Sequence, residues 1–282
     1  MKSRSSWAGK HVVITGAASG IGQATALELA SRGARVTLAD INAAGVEATA
    51  NRVRSLGGEA RAFAVDIARA ASVEAFAAQL VEQCGAVDVL VNNAGVAVVA
   101  PFARIGEADL EWLVGVNVWG PLRLTRALLP AMIARDGGHV VVVASFAGLV
   151  GAPGMVAYST TKFAMVGFCE ALRLELAETG IGVTVVCPGY VRTNLSRATR
   201  YDNPVFRSRL DHAPSWYGMT KEKVACELAD AVTARRPLVV LGPEKVGWWL
   251  KRLAPEAAFA VTRWIARRTG IGGTQEAPCT LP

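Results

Sequence analysis

At 282 residues, with 52% hydrophobic and 19% charged side chains, the chain holds enough apolar material for a full core; it excludes a disordered or low-complexity polypeptide. The net charge is +7, and much of the excess follows residue 190. That leaves nucleic acid, an anionic membrane or an acidic substrate as conceivable partners, against the plainer reading of a solvated basic surface. Five scattered cysteines (Cys84, Cys169, Cys187, Cys226 and Cys279) without C-x-x-C spacing exclude a disulfide framework and a zinc site.

The basic N-terminus MKSRSSWAGK lacks the apolar region and cleavage site of a signal peptide, and no stretch reaches the ~20 apolar residues of a membrane span. A soluble, cytoplasmic chain is expected. Lys10 to Thr15 (KHVVIT) reads as a buried parallel strand. It runs into GAASGIG, Gly16 to Gly22, and a helical pattern closed by Gly33. Strand, glycine turn and helix in succession suit dinucleotide binding: Gly16 makes the tight turn, while Gly20 and Gly22 let backbone amides approach a pyrophosphate on the helix N-terminus. The spacing G-x-x-x-G-x-G differs from the G-x-G-x-x-G fingerprint.

A second strand, ARVTLAD, ends in Asp40. An acid there suits the ribose hydroxyls of NAD and repels the extra phosphate of NADP; Ser19 and Ile41 add no positive charge to recruit it. Helix 42–56, strand EARAFAV ending before Asp66, helix 71–84 and strand VDVLV follow, then the turn NNAG, Asn92 to Gly95. Its two amides suit contacts to an adenosine or to backbone. Asn117 lies in a long helical pattern over 108–133, where a buried amide needs a partner and Pro121 is expected to kink or break the helix.

The run HVVVVA ends at Ser145, on the sheet edge where open α/β folds bind ligands. Tyr158 and Lys162 follow four residues apart, on one face of a helix. The ammonium is expected to pull the tyrosine pKa down from about 10 towards working pH, as a general acid/base requires. A lone Y-x-x-x-K is more often an amphipathic face, so its weight comes from the motifs upstream. A sixth strand, IGVTVVCPG, stops at Pro188 and Gly189. Residues 190–220 lose periodicity and read as a substrate loop carrying Tyr190, Tyr201, Phe206, Trp216 and Tyr217. Helix 221–234 and strand PLVVLG precede a basic, tryptophan-containing extension over 243–282. That extension suits a membrane surface or, in the favoured reading, packing on the domain or a subunit with its arginines in water. The β–α alternation, without a domain boundary, predicts one doubly wound parallel sheet of about seven strands, a Rossmann fold over 1–282.

TGAASGIG, Asp66, NNAG, Asn117, Ser145, YSTTK and CPGYVRT, in that order, resemble the short-chain dehydrogenase/reductase family over roughly residues 8–195. The resemblance implies that Tyr158 is the general acid/base, that Ser145 polarises the substrate oxygen, that Lys162 tunes the tyrosine and holds the nicotinamide ribose, and that Asn117 helps position a relay water. It assigns cofactor contacts to Gly16, Ser19, Gly20, Ile21, Gly22, Asp40, Asp66, Ile67, Asn93, Ala94, Gly95, Pro188, Gly189, Val191 and Thr193, besides Tyr158 and Lys162. It also implies a homodimer or homotetramer through the helices near 107–134 and 156–179.

The function expected is reversible hydride transfer between NAD and an apolar secondary alcohol or ketone: a steroid, a cyclic alcohol or an acyl-type substrate. The aromatics after residue 190 suit such a ligand and would serve equally as packing. A non-catalytic NAD(H)-binding sensor or scaffold is the alternative, and the intact Ser–Tyr–Lys set argues against it. A nucleic-acid binder would show a recognisable motif, and none is present. A methyltransferase has no use for YSTTK, and a ketoacyl reductase usually prefers NADPH, which Asp40 disfavours.

Overall fold

The computed structural model describes residues 7–193, 195–201 and 218–269. Seven parallel strands form one sheet: β1 (His11–Thr15), β2 (Arg35–Asp40), β3 (Ala60–Ala64), β4 (Val89–Asn92), β5 (Gly138–Val143), β6 (Ile181–Pro188) and β7 (Leu238–Leu241). Their spatial order is β3-β2-β1-β4-β5-β6-β7. The helices between them are α1 (Gly20–Ser31), α2 (Ala43–Ser55), α3 (Ala70–Cys84), α4 (Glu107–Val114), α5 (Gly120–Ala134), α6 (Val156–Glu175) and α7 (Lys221–Thr233); α8 (Lys245–Leu253) and α9 (Pro255–Thr269) close the described chain.

The central strands are valine-rich because both of their faces are covered. Val13, Leu90, Val140, Val142 and Val185 point to one side, where Phe76, Leu80, Leu124, Leu128 and Met165 pack on them. Val12, Ile14, Leu38, Val91, Val141 and Val186 point to the other, against Leu29, Val46, Val53, Val224 and Leu228. β-Branched side chains on two-sided strands and leucines on the facing helices are what a buried parallel sheet requires. This is the doubly wound Rossmann architecture expected from the sequence. The order reverses between β1 and β4, and in open α/β sheets ligands bind at such a point, outside the carboxyl ends of the strands.

The long pattern over 108–133 divides where Pro121 predicts. Between α4 and α5 lies one π-helical segment, Gly115–Trp119, with Pro121 in the first turn of α5. The Gly120 N–H reaches back to the Gly115 carbonyl. Pro121 has no N–H for the Asn117 carbonyl, so an α-helical register cannot run through this point.

The stems of the 190–220 loop are tied together: the Met219 N–H donates to the Tyr190 carbonyl at 2.9 Å and the Arg192 N–H to the Met219 carbonyl at 3.1 Å. Arg200–Tyr201 pairs with Val98–Val99 in a small second ribbon, which the sequence reading did not expect. Arg200 also stacks 3.9 Å from the Trp112 ring centroid and pairs with Asp109. Of the loop's expected aromatics, Phe206, Trp216 and Tyr217 lie outside the described residues, as do residues 270–282 of the extension. No helix among the described residues is long and apolar enough to cross a membrane.

At the amino ends of the strands His11 and His139 are buried, bonded to the hydroxyls of Thr37 and Thr184 at 2.8 Å each. Burial, with help from Arg235, pushes His139 down to about 4. The unfolded chain then binds more protons than the native one between pH 6.5 and 4, so stability falls as pH drops through that window. The loss expected is on the order of 3 kcal/mol. Urea midpoints across that range should show it, and His139→Asn should flatten the slope.

Candidate active site

The carboxyl edge of the sheet gathers most of the residues singled out in the sequence. Gly16 leaves β1 with φ +67°, and a Cβ there would lie 2.7 Å from the Ala94 Cα. Only glycine fits both conditions. Gly22 is needed for a different reason than expected: its Cβ would meet the Gly16 carbonyl oxygen at 2.2 Å. Its smallness lets α1 pack back onto the turn. Ser19 stands at the α1 N-cap with no side-chain cap bond, and the first turn carries no acidic residue. Free N–H groups at a helix N-terminus of this kind are chemically suited to an anion. Gly20 opens the helix, and a Cβ on it would sit 3.4 Å from the Thr193 Cβ, so the segment after Gly189 folds back over the turn. Ile21 and Val191 pack against the same core cluster.

Asp40 accepts one backbone N–H on each oxygen, from Ala18 and Asn42 at 2.9 Å. A carboxylate offers about four lone-pair sites, so acceptor capacity remains on both oxygens. Asp66 accepts the Ala68 N–H at 3.0 Å, and Ile67 presses its Cδ1 to within 2.8 Å of where a Gly120 Cβ would be. The NNAG amides serve the scaffold. Asn93 donates to the Thr15 and Gly16 carbonyls at 2.9 and 3.2 Å, and Asn92 to the Thr125 hydroxyl at 3.0 Å. Of the two roles the sequence left open for them, Asn93 shows the backbone one, and Asn92 bonds a side-chain hydroxyl instead. Thr15 had gone unnoticed, yet its hydroxyl accepts the N–H groups of both Asn93 and Ala94. Pro188 ends β6 opposite Leu241, whose carbonyl takes the Gly189 N–H at 2.8 Å. Glu244, also unnoticed, accepts the Tyr190 N–H at 3.2 Å and backs this turn.

Ser145 follows β5 as the cap of a 3₁₀ turn, Phe146–Gly148, accepting the Ala147 N–H at 3.1 Å. α6 holds Tyr158 and Lys162 one turn apart, both buried. The Tyr158 hydroxyl lies near enough to the Ser145 side chain for the serine hydroxyl to lower the tyrosine pKa. The Lys162 ammonium donates to the Val143 carbonyl at 3.3 Å and lies 5.7 Å from the Tyr158 ring centroid. Asn117 is saturated: its Oδ1 accepts the Val96 N–H at 2.9 Å, and its amide donates to the Val96 carbonyl and the Thr161 hydroxyl at 2.9 and 3.0 Å. This amide stitches the loop after β4 to α6. Ser145, Tyr158, Lys162 and Asn117 are thus brought together, with Gly95 beside them: its Cβ would lie 3.2 Å from the Lys162 Nζ.

Residues 10–204 match the sequence family described as short chain dehydrogenase. The chain belongs to that family. It is 34% identical to the oxidoreductase UcpA of Escherichia coli over 276 residues, covering 97% of this chain and 95% of UcpA. To estradiol 17-beta-dehydrogenase 11 of Macaca fascicularis it is 35% identical over 267 residues, covering 93% and 85%. It spans only 44% of the length of EphD of Mycobacterium tuberculosis, at 32% identity over 89% of this chain. A short chain dehydrogenase/reductase from Burkholderia phymatum in complex with NAD superposes with a TM-score of 0.80 at 28% identity, covering 98% and 99% of the two chains. A metagenomic short-chain oxidoreductase in complex with NADP gives 0.70 at 30% identity, covering 84% and 97%.

In this dehydrogenase the electrostatics correct one expectation. The Tyr158 pKa is raised, chiefly by burial, against the lowering effect of the Ser145 hydroxyl. The ammonium, though close to the ring, does not pull it down. Lys162 is itself depressed to about 8 because its burial disfavours charge. Desolvation outweighs the pair attraction that the i,i+4 spacing suggests. Cys187, at the end of β6, is pushed up to about 12 by burial and stays a neutral thiol.

A buried ammonium costs the fold free energy. Lys162 falls from 10.5 to about 8, so below pH 8 the penalty is fully present. As pH climbs from 8 towards 10 the unfolded chain binds more protons than the native one, and stability rises. Tyr158, raised above 10, works the other way only beyond pH 10. Lys162→Met is expected to raise stability at pH 7 by up to about 3 kcal/mol, read as a higher melting temperature, and to remove that pH dependence.

Proposed function

We propose that the protein is an NAD-dependent dehydrogenase of apolar secondary alcohols, acting reversibly on the alcohol and ketone pair. The observation that carries the reading is the Ser145–Tyr158 pair beside buried Lys162, on the sheet edge next to a helix N-terminus suited to a diphosphate. Ser145 holds the substrate oxygen. Tyr158 is the group placed to exchange the hydroxyl proton, with Lys162 one helical turn away. Asn117 keeps the loop after β4 and α6 in register. When bound, the nicotinamide supplies the two-electron acceptor for the carbinol hydrogen. The fold contributes orientation.

The residues present fit that dinucleotide. Gly16, Ser19, Gly20, Ile21 and Gly22 would hold its diphosphate, Asp40 its adenosine ribose, and Asp66 and Ile67 its adenine. Asn93, Ala94 and Gly95 would line the middle, Tyr158 and Lys162 would hold the nicotinamide ribose, and Pro188, Gly189, Val191 and Thr193 the nicotinamide. NAD is preferred to NADP because the remaining lone pairs of Asp40 accept two hydroxyls and repel a phosphate.

An apolar substrate is supported by the wall around Tyr158, where Ala97, Val98, Ala147 and Ala157 form a separate small core with Val96, Trp112 and Met155 at its edge. The steroid dehydrogenase named among the relatives points to a steroid or another cyclic alcohol. Self-association through α5 and α6 is supported by exposed Trp119, Ile133 and Val156.

NADH formation from NAD, with NADP in parallel, over alcohols from cyclohexanol to steroids and 3-hydroxyacyl thioesters, tests the reading. Turnover with NAD and a cyclic or steroid alcohol is expected; turnover with NADP alone would overturn the role of Asp40. Tyr158→Phe is expected to keep NADH binding, followed by fluorescence, while kcat falls by roughly three orders of magnitude or more. Near-normal turnover in that variant would remove Tyr158 as the acid/base.

A further inference from the structure

The last two described helices present their apolar side chains outwards. On α8, Val246, Trp249 and Leu253 recur at i, i+3 and i+7 and are 70%, 53% and 81% exposed. The opposite side of α8 faces the protein. Lys251 donates to the Leu149 carbonyl at 2.6 Å and stands 4.7 Å above the Phe163 ring, and a Cβ on Gly247 would lie 3.5 Å from Phe146. Trp248 packs on the main core and Lys251 is turned in, while a separate apolar stripe is turned out, which packing on the domain leaves uncovered. α9 packs on α8 and adds Phe259 and Trp264, 66% and 55% exposed. Cations border these groups: Lys245 and Arg252 on α8, Arg263 and Arg267 on α9, all exposed. Across 245–269 the sequence has six basic residues (Lys245, Lys251, Arg252, Arg263, Arg267 and Arg268) and one acid, Glu256.

We propose that α8 and α9 form a docking surface for an anionic lipid bilayer, with Trp249, Leu253, Phe259 and Trp264 entering the interface and the flanking cations meeting the headgroups. Exposed tryptophan and leucine ringed by lysine and arginine are the chemistry of helices that lie in the plane of a membrane. Charge selects this occupant over a second copy of the chain. A two-fold contact through α8 and α9 would set their cations against the same cations. Nucleic acid would satisfy the cations and leave Val246, Leu253 and Phe259 in water. The surface also lies one helix thickness from Phe146 and Leu149, directly after Ser145. The docking itself does not rest on the substrate reading.

The test is co-sedimentation of the full chain with phosphatidylcholine vesicles, with and without phosphatidylglycerol at roughly a third of the lipid. Binding to the mixed vesicles is expected, with a blue shift of tryptophan emission, and at least tenfold weaker binding to phosphatidylcholine alone. Salt at about 0.5 M should weaken it, because the headgroup attraction is screened. Trp249→Glu with Leu253→Glu, and separately Arg263→Glu with Arg267→Glu, should each lower the bound fraction at least tenfold while NADH binding and the melting temperature stay near those of the parent. No binding to the mixed vesicles overturns the proposal, and so does undiminished binding by both variants. A dimer in light scattering that Trp249→Glu with Leu253→Glu dissociates, without any vesicle binding, would assign the face to a second copy instead.

Discussion

A buried ammonium is the constraint on which this site depends. Lys162 lies within the protein, and among the described residues its ammonium donates to the Val143 carbonyl alone, at 3.3 Å. Taking such a charge out of water is expensive, and the depression of its pKa to about 8 is that expense expressed as protonation. Bringing α6 deep enough to hold it requires two places without side chains. A Cβ at Gly148 would lie 2.6 Å from the Lys162 carbonyl, and one at Gly95 3.2 Å from its ammonium. The loops after β4 and β5 therefore close on α6 from two sides. A fold tuned for stability alone would place an apolar side chain here, and a buried lysine is the kind of group that the proposed chemistry would use.

That packing explains why the topology matters. Parallel strands bring their carboxyl ends to one edge, and the order reverses between β1 and β4, the point where open α/β sheets bind ligands. The glycine turn after β1, Asp40 after β2, the NNAG turn after β4, Ser145 after β5 and Gly189 after β6 then become neighbours although they span much of the chain. Thr15 and Asn93 fasten the first and third of these to each other through four hydrogen bonds. Asn117 fastens the third to α6. The scaffold that carries the reactive groups is thus a run of short polar links at the top of an apolar sheet.

The β–α alternation and the glycine turn were legible because they are local patterns, each decided within a few residues. The spacing of Tyr158 and Lys162 was legible for the same reason. What their proximity does to their pKa values was not, because burial depends on α6 meeting β5 and β6, a contact between distant segments. Pro121 signalled a break, yet the i→i+5 bond from Gly120 to Gly115 has no sequence signature. Asn93 shows the limit of reading by residue type: an amide suited to a ligand is used up on backbone carbonyls 77 and 78 residues away. The Arg200–Trp112 stack and the Glu244 support of Tyr190 were equally hidden, since each joins segments that only the folded chain brings together.

The extension after β7 was the least legible part, since its composition suited both a membrane surface and packing on the domain. The structure shows that the two are not exclusive. The inner side of α8 is committed to Leu149 and Phe163, while its apolar stripe faces out. Beside α8 stands the turn Phe146–Gly148, which Ser145 itself caps and against which the Lys162 backbone presses. The inner face of α8 and the turn that carries Ser145 are therefore parts of one packing arrangement.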